Sequence, residues 1–82
     1  MALYFVDYDL RKQRDYQKLY DALNALGAIR VLGSLWTFSH GSTSCVLVRD
    51  HLKQFIDMDD GLVISQIVDW ASYKPLAIPP NT

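Results

Sequence analysis

Residues 2–10 alternate in a two-residue period. Tyr4, Val6, Tyr8 and Leu10 fall on one face, and Leu3, Phe5, Asp7 and Asp9 on the other. The first set is apolar or aromatic throughout and rich in β formers, which predicts a strand. The second set starts apolar and ends on two carboxylates. Such a strand belongs in the middle of a sheet, buried on both faces except where the carboxylates stand.

A short basic loop, Arg11-Lys12-Gln13-Arg14, follows. Tyr16, Leu19, Tyr20, Leu23 and Leu26 then recur at helical spacing and predict a helix over 14–26. Asp15 would stand in its first turn, where the helix dipole favours a negative charge, and Gly27 would close it. Ile29–Leu32 and Leu35–Phe38 flank Gly33-Ser34, which reads as a two-residue hairpin turn of type II′ because glycine stands first. Val48, Leu52, Phe55 and Ile56 have helical spacing, and Cys45 extends the stripe one turn back. The favoured reading is one helix over 44–56, capped by Ser42 or Thr43. The rival is a strand over 45–48 followed by a helix. Asp57 to Gly61 reads as a turn and Leu62 to Val68 as the last strand.

The order β-α-β-β-α-β predicts an α+β, ferredoxin-like domain over residues 1–70, a four-stranded antiparallel sheet with two helices on one face. The other face would be open, and homodimerisation is the simplest way to cover it. Residues 71–82, with all three prolines, form a tail. Its apolar Leu76-Ala77-Ile78 is expected to add to a sheet edge, the chain's own or, in the dimer, a partner's.

Charge and composition narrow the functions. Eight basic against nine acidic side chains give a net charge of −1, which excludes nucleic-acid binding by bulk charge and leaves a local basic patch. A single cysteine excludes an internal disulfide framework, and with two histidines it leaves too few soft ligands for structural zinc. No apolar run approaches the ~20 residues of a membrane span, and the first residues lack a basic leader, so a cytoplasmic protein with no membrane partner is expected.

Asp7 and Asp9 are the clearest candidate chemistry. Alternate residues on one strand face stand about 6.5–7 Å apart, so both could reach one hard cation or its waters. Mg2+ takes a few carboxylates plus water and could activate water against a phosphodiester. Arg11, Lys12 and Arg14 stand beside them, suited to phosphate contacts that position without reading sequence. The plainer reading is that these charges neutralise one another. Trp36 and Phe38 are assigned to opposite strand faces, so that an exposed one could stack a base, although core packing is the plainer role. His40 could serve as a base or a phosphate contact; His51 reads as solvated and Cys45 as core.

Tyr4-Phe5-Val6-Asp7-Tyr8-Asp9-Leu10 resembles the first strand of the small CRISPR-associated adaptation nucleases, the second of the two universal spacer-acquisition proteins. Arg30-Val31-Leu32-Gly33-Ser34-Leu35-Trp36 resembles that family's Arg-Val-Gln-x-Ser-Val-Phe stretch. The resemblance covers about residues 2–70, and a C-terminal strand added across the dimer is a family habit. It implies a homodimer acting on DNA or RNA with a divalent metal, and Asp9 as the catalytic, metal-binding residue. It resembles stand-alone relatives more than the CRISPR members proper. The virulence-associated toxin ribonucleases have a similar first strand. Leu32 stands where the family has Gln, Thr37 and Phe38 where a Glu is usual, and the charge is more acidic. These departures favour an alternative, a non-catalytic module on the same fold that binds a protein partner.

Overall fold

The computed structural model describes residues 1–13 and 15–79. Along the chain run β1 (Ala2–Asp9), α1 (Gln17–Ala25), β2 (Ile29–Leu32), β3 (Leu35–His40), α2 (Cys45–Leu52) and β4 (Gly61–Ile67). The four strands form one antiparallel sheet in the order β2-β3-β1-β4. β1 is therefore interior, paired with β3 on one side and β4 on the other. β2 and β4 are the edges.

The two-residue period of β1 decides where the core lies. Tyr4, Val6 and Tyr8 join Trp36 and Phe38 of β3 in one buried cluster with Leu19 and Leu23 of α1 and Val48 and Leu52 of α2. Trp36 and Phe38 share this face rather than pointing to opposite sides, because residues two apart on a strand project the same way. Tyr4 and Phe38, cross-strand partners, stack with ring centroids 5.4 Å apart. Neither Trp36 nor Phe38 is exposed to stack a base.

Local chemistry sets the helix ends. α1 begins later than its apolar stripe suggested, at Gln17, because the Asp15 carboxylate accepts the Gln17 N–H at 2.8 Å and caps the turn from outside. No acidic residue stands within its first turn. At the other end Gly27 adopts φ +75°. Ala28 N–H reaches Leu23 C=O and Gly27 N–H reaches Asn24 C=O, the paired bonds of a Schellman closure. α2 is one helix with no strand over 45–48. A 3-10 turn, Lys53–Phe55, continues it. Its cap is Ser44, whose hydroxyl accepts from Leu47 N–H, not Ser42 or Thr43.

The β2–β3 hairpin differs from a type II′ turn. Gly33 does not take the positive φ that type requires. The ladder instead slips a residue between Arg30 and Leu32, leaving Val31 unpaired in the register. A bulge of this kind increases local twist, which relieves the need for a mirror-image turn.

The opposite face of the sheet carries Leu3, Phe5, Thr37 and Val31. It is not fully open. Residues 70–79 of the same chain lie against it, and Leu76 N–H donates to Val31 C=O on the β2 edge at 2.7 Å. No strand forms among the described tail residues. A cavity of about 140 Å3 remains between Phe5, Val31 and Leu35 on the sheet and Trp70, Tyr73 and Pro79 on the tail. No helix of the described residues is long and apolar enough to cross a membrane.

Burial predicts the stability map. Phe38, 1% exposed, should cost about 3–5 kcal/mol as Phe38→Ala. Val46→Ala, on the outward side of α2, should change stability by no more than about 0.5 kcal/mol. The urea midpoints of both variants check the contrast.

Candidate functional site

Asp7 and Asp9 stand on the sheet face away from the helices, at the C-terminal end of β1. Their cross-strand partners on β4 are Val63 and Gly61. Both are exposed, and with Arg11, Gly61 and Val63 they border a cavity of about 190 Å3. The β1–β3 ladder ends at Asp7 and the β1–β4 ladder at Asp9, and both carboxylates are exposed.

The neighbours of the two carboxylates differ. Asp7 Oδ1 accepts a hydrogen bond from the Ser34 hydroxyl at 3.3 Å and forms no ion pair among the described residues. Asp9 Oδ2 accepts from Arg11 Nε at 3.0 Å. The Arg11 Nη1 group also donates to Asp59 C=O at 2.6 Å, and Lys12 Nζ lies 2.9 Å from Asp59 Oδ2. Arg11 is thus paired with Asp9 of β1, and Lys12 with Asp59 in the turn that precedes β4, so each of these basic side chains already has a carboxylate partner. Arg14, the third, lies outside the described residues.

Asp60 ties the two loops together. Its carboxylate accepts from Arg11 N–H at 2.6 Å, from the Tyr16 hydroxyl at 2.7 Å and from Asp57 N–H at 2.8 Å. Burial pushes the Tyr16 hydroxyl above its ordinary value of 10.0, and the hydrogen bond to Asp60 raises it further. Asp59, Asp60, Gly61 and Tyr16 were not singled out by the sequence as site residues. The run Asp57-Met58-Asp59-Asp60-Gly61 signalled a turn. It did not signal which loop that turn would clasp, because that depends on the β1–β4 pairing.

Behind the site, Tyr8 holds the helix side. Its hydroxyl accepts from Trp36 Nε1 at 3.0 Å and Arg30 Nη2 at 2.8 Å, and donates to Gly33 C=O at 3.3 Å. Arg30 lies over the rings of Tyr20 and Trp36, 5.1 and 4.9 Å from their centroids. The Tyr8 hydrogen bond helps hold the guanidinium charged. Arg30 Nε is buried with no partner among the described residues, so the aromatic faces offset only part of the cost of enclosing this cation.

The other candidates do not converge here. His40 pairs with Ala2 at the far end of β1, and its Nδ1 accepts Ser42 N–H within its own loop. His51 is exposed on α2 with its ring edge-on to Phe55, and Cys45 is partly buried against the core. No group of three His, Cys, Asp or Glu side chains that could hold a metal occurs among the described residues. Asp7 and Asp9 supply hard oxygen donors. That suits an ion such as Mg2+, which takes one or two carboxylates and completes its shell with water and phosphate oxygens, better than an ion needing a full protein cage.

Two measurements probe this network. Because the native chain keeps the Tyr16 proton at pH values where the unfolded chain has lost it, stability falls as pH rises through the ordinary tyrosine range. Tyr16→Phe should make the decline between about pH 9 and pH 11 shallower in urea titrations. Tyr8→Phe should cost about 1–3 kcal/mol by the same titration at neutral pH, because it strands the buried Trp36 Nε1 donor. The sequence matches no protein-family model.

Proposed function

We propose that this protein binds and cleaves phosphodiesters of DNA or RNA at the C-terminal end of β1, on a ferredoxin-like fold. The element order and the strand order β2-β3-β1-β4 support that fold. The observation that carries the activity is the pairing of two exposed carboxylates, Asp7 and Asp9, on one sheet face beside an open cavity, with Arg11 and Lys12 adjacent. Asp9 is the principal metal-binding and catalytic residue and Asp7 its helper; Mg2+ is the ion their chemistry suits. When bound, such an ion makes a coordinated water more acidic and offsets charge on the phosphodiester. Arg11 and Lys12 hold the phosphates, joined by Arg14 from the same loop. The resemblance to the adaptation nucleases supports the same assignment.

In the working form two copies pair. Apolar side chains exposed at the margins of the sheet, Val63 on β4 and Leu76 and Ile78 in the tail, support an interface there. A cytoplasmic location is part of the same proposal.

A second reading is favoured by a specific observation. Asp9 and Lys12 are each already paired within the chain, with Arg11 and Asp59. That suits a non-catalytic module whose charges order two loops while its apolar margins bind a protein partner.

Cleavage of labelled single- and double-stranded DNA and RNA, with Mg2+, Mn2+ or chelator, separates the readings. The nuclease reading expects metal-dependent cleavage that drops at least about a hundredfold in Asp9→Asn, the scale of a positioned catalytic group. Binding should weaken steeply with salt, each phosphate contact adding about 0.7–0.9 to the slope. A folded protein without metal-dependent cleavage or salt-dependent binding would sink this reading in favour of the second.

A further inference from the structure

Arg11 is more tightly seated than a surface ion pair two residues along a chain requires. Its backbone N–H is fixed to Asp60 Oδ1 at 2.6 Å. Its guanidinium spans the Asp9 carboxylate, 3.0 Å from Nε, and the Asp59 carbonyl, 2.6 Å from Nη1. Its Nη2 lies 3.0 Å from where a Cβ on residue 61 would project, and residue 61 is glycine. Gly61 is the cross-strand partner of Asp9, so the space it leaves is beside that carboxylate. Its backbone does not take a positive φ, so the conformation here does not require glycine and the open space is what it supplies.

The seat has a consequence for Asp9. A divalent cation approaching Asp9 Oδ2 meets a charge already bonded there, and two positive groups cannot share one carboxylate oxygen without mutual repulsion. The pinned backbone of Arg11 leaves its long side chain as the part that can move. An incoming phosphodiester offers the guanidinium a second anionic partner of matching bidentate geometry.

We propose that Arg11 is a built-in counter-cation that keeps Asp9 closed to divalent cations, and that a phosphodiester opens the site by drawing the guanidinium away. This rests on the reading of Asp9 as a cation-binding residue. Arg11 is then a specificity-determining residue: it makes cation occupancy depend on the presence of a phosphate ligand.

The test is Mn2+ affinity, read from the electron paramagnetic resonance signal of the free aqueous ion, on the full chain without nucleic acid. Arg11→Gln removes the guanidinium. Gly61→Ala keeps every charge and crowds Nη2, displacing the guanidinium by a few tenths of an ångström, so the two variants fail in different ways if either disturbs the fold. Arg11→Gln should bind Mn2+ about tenfold more tightly than the unsubstituted chain, the order expected from removing one positive charge beside the ion, and Gly61→Ala should gain in the same direction by less. Adding Asp9→Asn to either should abolish the gain. Unsubstituted protein should gain affinity when dimethyl phosphate is added, and Arg11→Gln should not. Equal or weaker Mn2+ binding in both variants overturns the proposal while leaving Asp9 as a ligand, provided Asp9→Asn still weakens it. Absence of Mn2+ binding in every variant overturns this proposal and the metal-dependent reading together.

Discussion

β1 is hydrogen-bonded along both edges and flanked on both faces, and the remaining elements are arranged by that position. An interior strand must satisfy its backbone with two neighbours and bury one row of side chains against the helices. Tyr4, Val6 and Tyr8 meet that demand on the helix side. The tyrosines are enclosed only because their hydroxyls find partners, Thr43 C=O for Tyr4 and the Gly33–Arg30–Trp36 group for Tyr8. The other row changes from apolar to charged toward the end of the strand, where its side chains are exposed. Asp7 and Asp9 occupy that end.

The face away from the helices shows how a small chain supplements its core. Leu3, Val31 and Thr37 are buried there, outside the helix-side cluster. Thr37 is tolerated because its hydroxyl donates to Tyr4 C=O at 2.9 Å. The chain's own residues 70–79 supply part of the cover, with Pro79 buried and Trp70 partly so. An open sheet face had been the reason for expecting a second copy. In the single chain that reason is weakened over β2 and β3. Apolar side chains still exposed include Leu76 and Ile78 of the segment itself and Val63 on the β4 edge.

Electrostatics at the β1 end follow from loop geometry. With a net charge of −1 the chain carries no bulk positive charge to attract nucleic acid at a distance, so recognition there would be local. Arg11 pairs with Asp9 at the end of β1, and the loop after β1 is joined to the turn before β4 by the Arg11 bond to Asp59 C=O, a lysine–aspartate pair and the bonds to Asp60. These contacts are exposed, and each stabilises the fold little by itself. Their effect is to order the loops and to set which charges a ligand meets first. The same network therefore serves both functional readings, and the state of Asp9 distinguishes them.

The sequence alone determined the faces of β1 and α1. The alternation in β1, the stripe of α1, the closing Gly27 and the continuous helix over Cys45–Leu52 are local patterns, decided by backbone periodicity and by which residues sit at successive turns. The pairing of Asp7 and Asp9 on one face was legible for the same reason. Tertiary structure decided what surrounds them. Arg11 was a neighbour of Asp9 in sequence, but its bonds to Asp59 and Asp60 and its space at Gly61 exist only because β4 pairs with β1 and brings residues some fifty positions away alongside. The slip at Val31 and the tail across the second face arise in the same way. They depend on strand pairing and on competition for apolar surface between distant segments, and no local period records either.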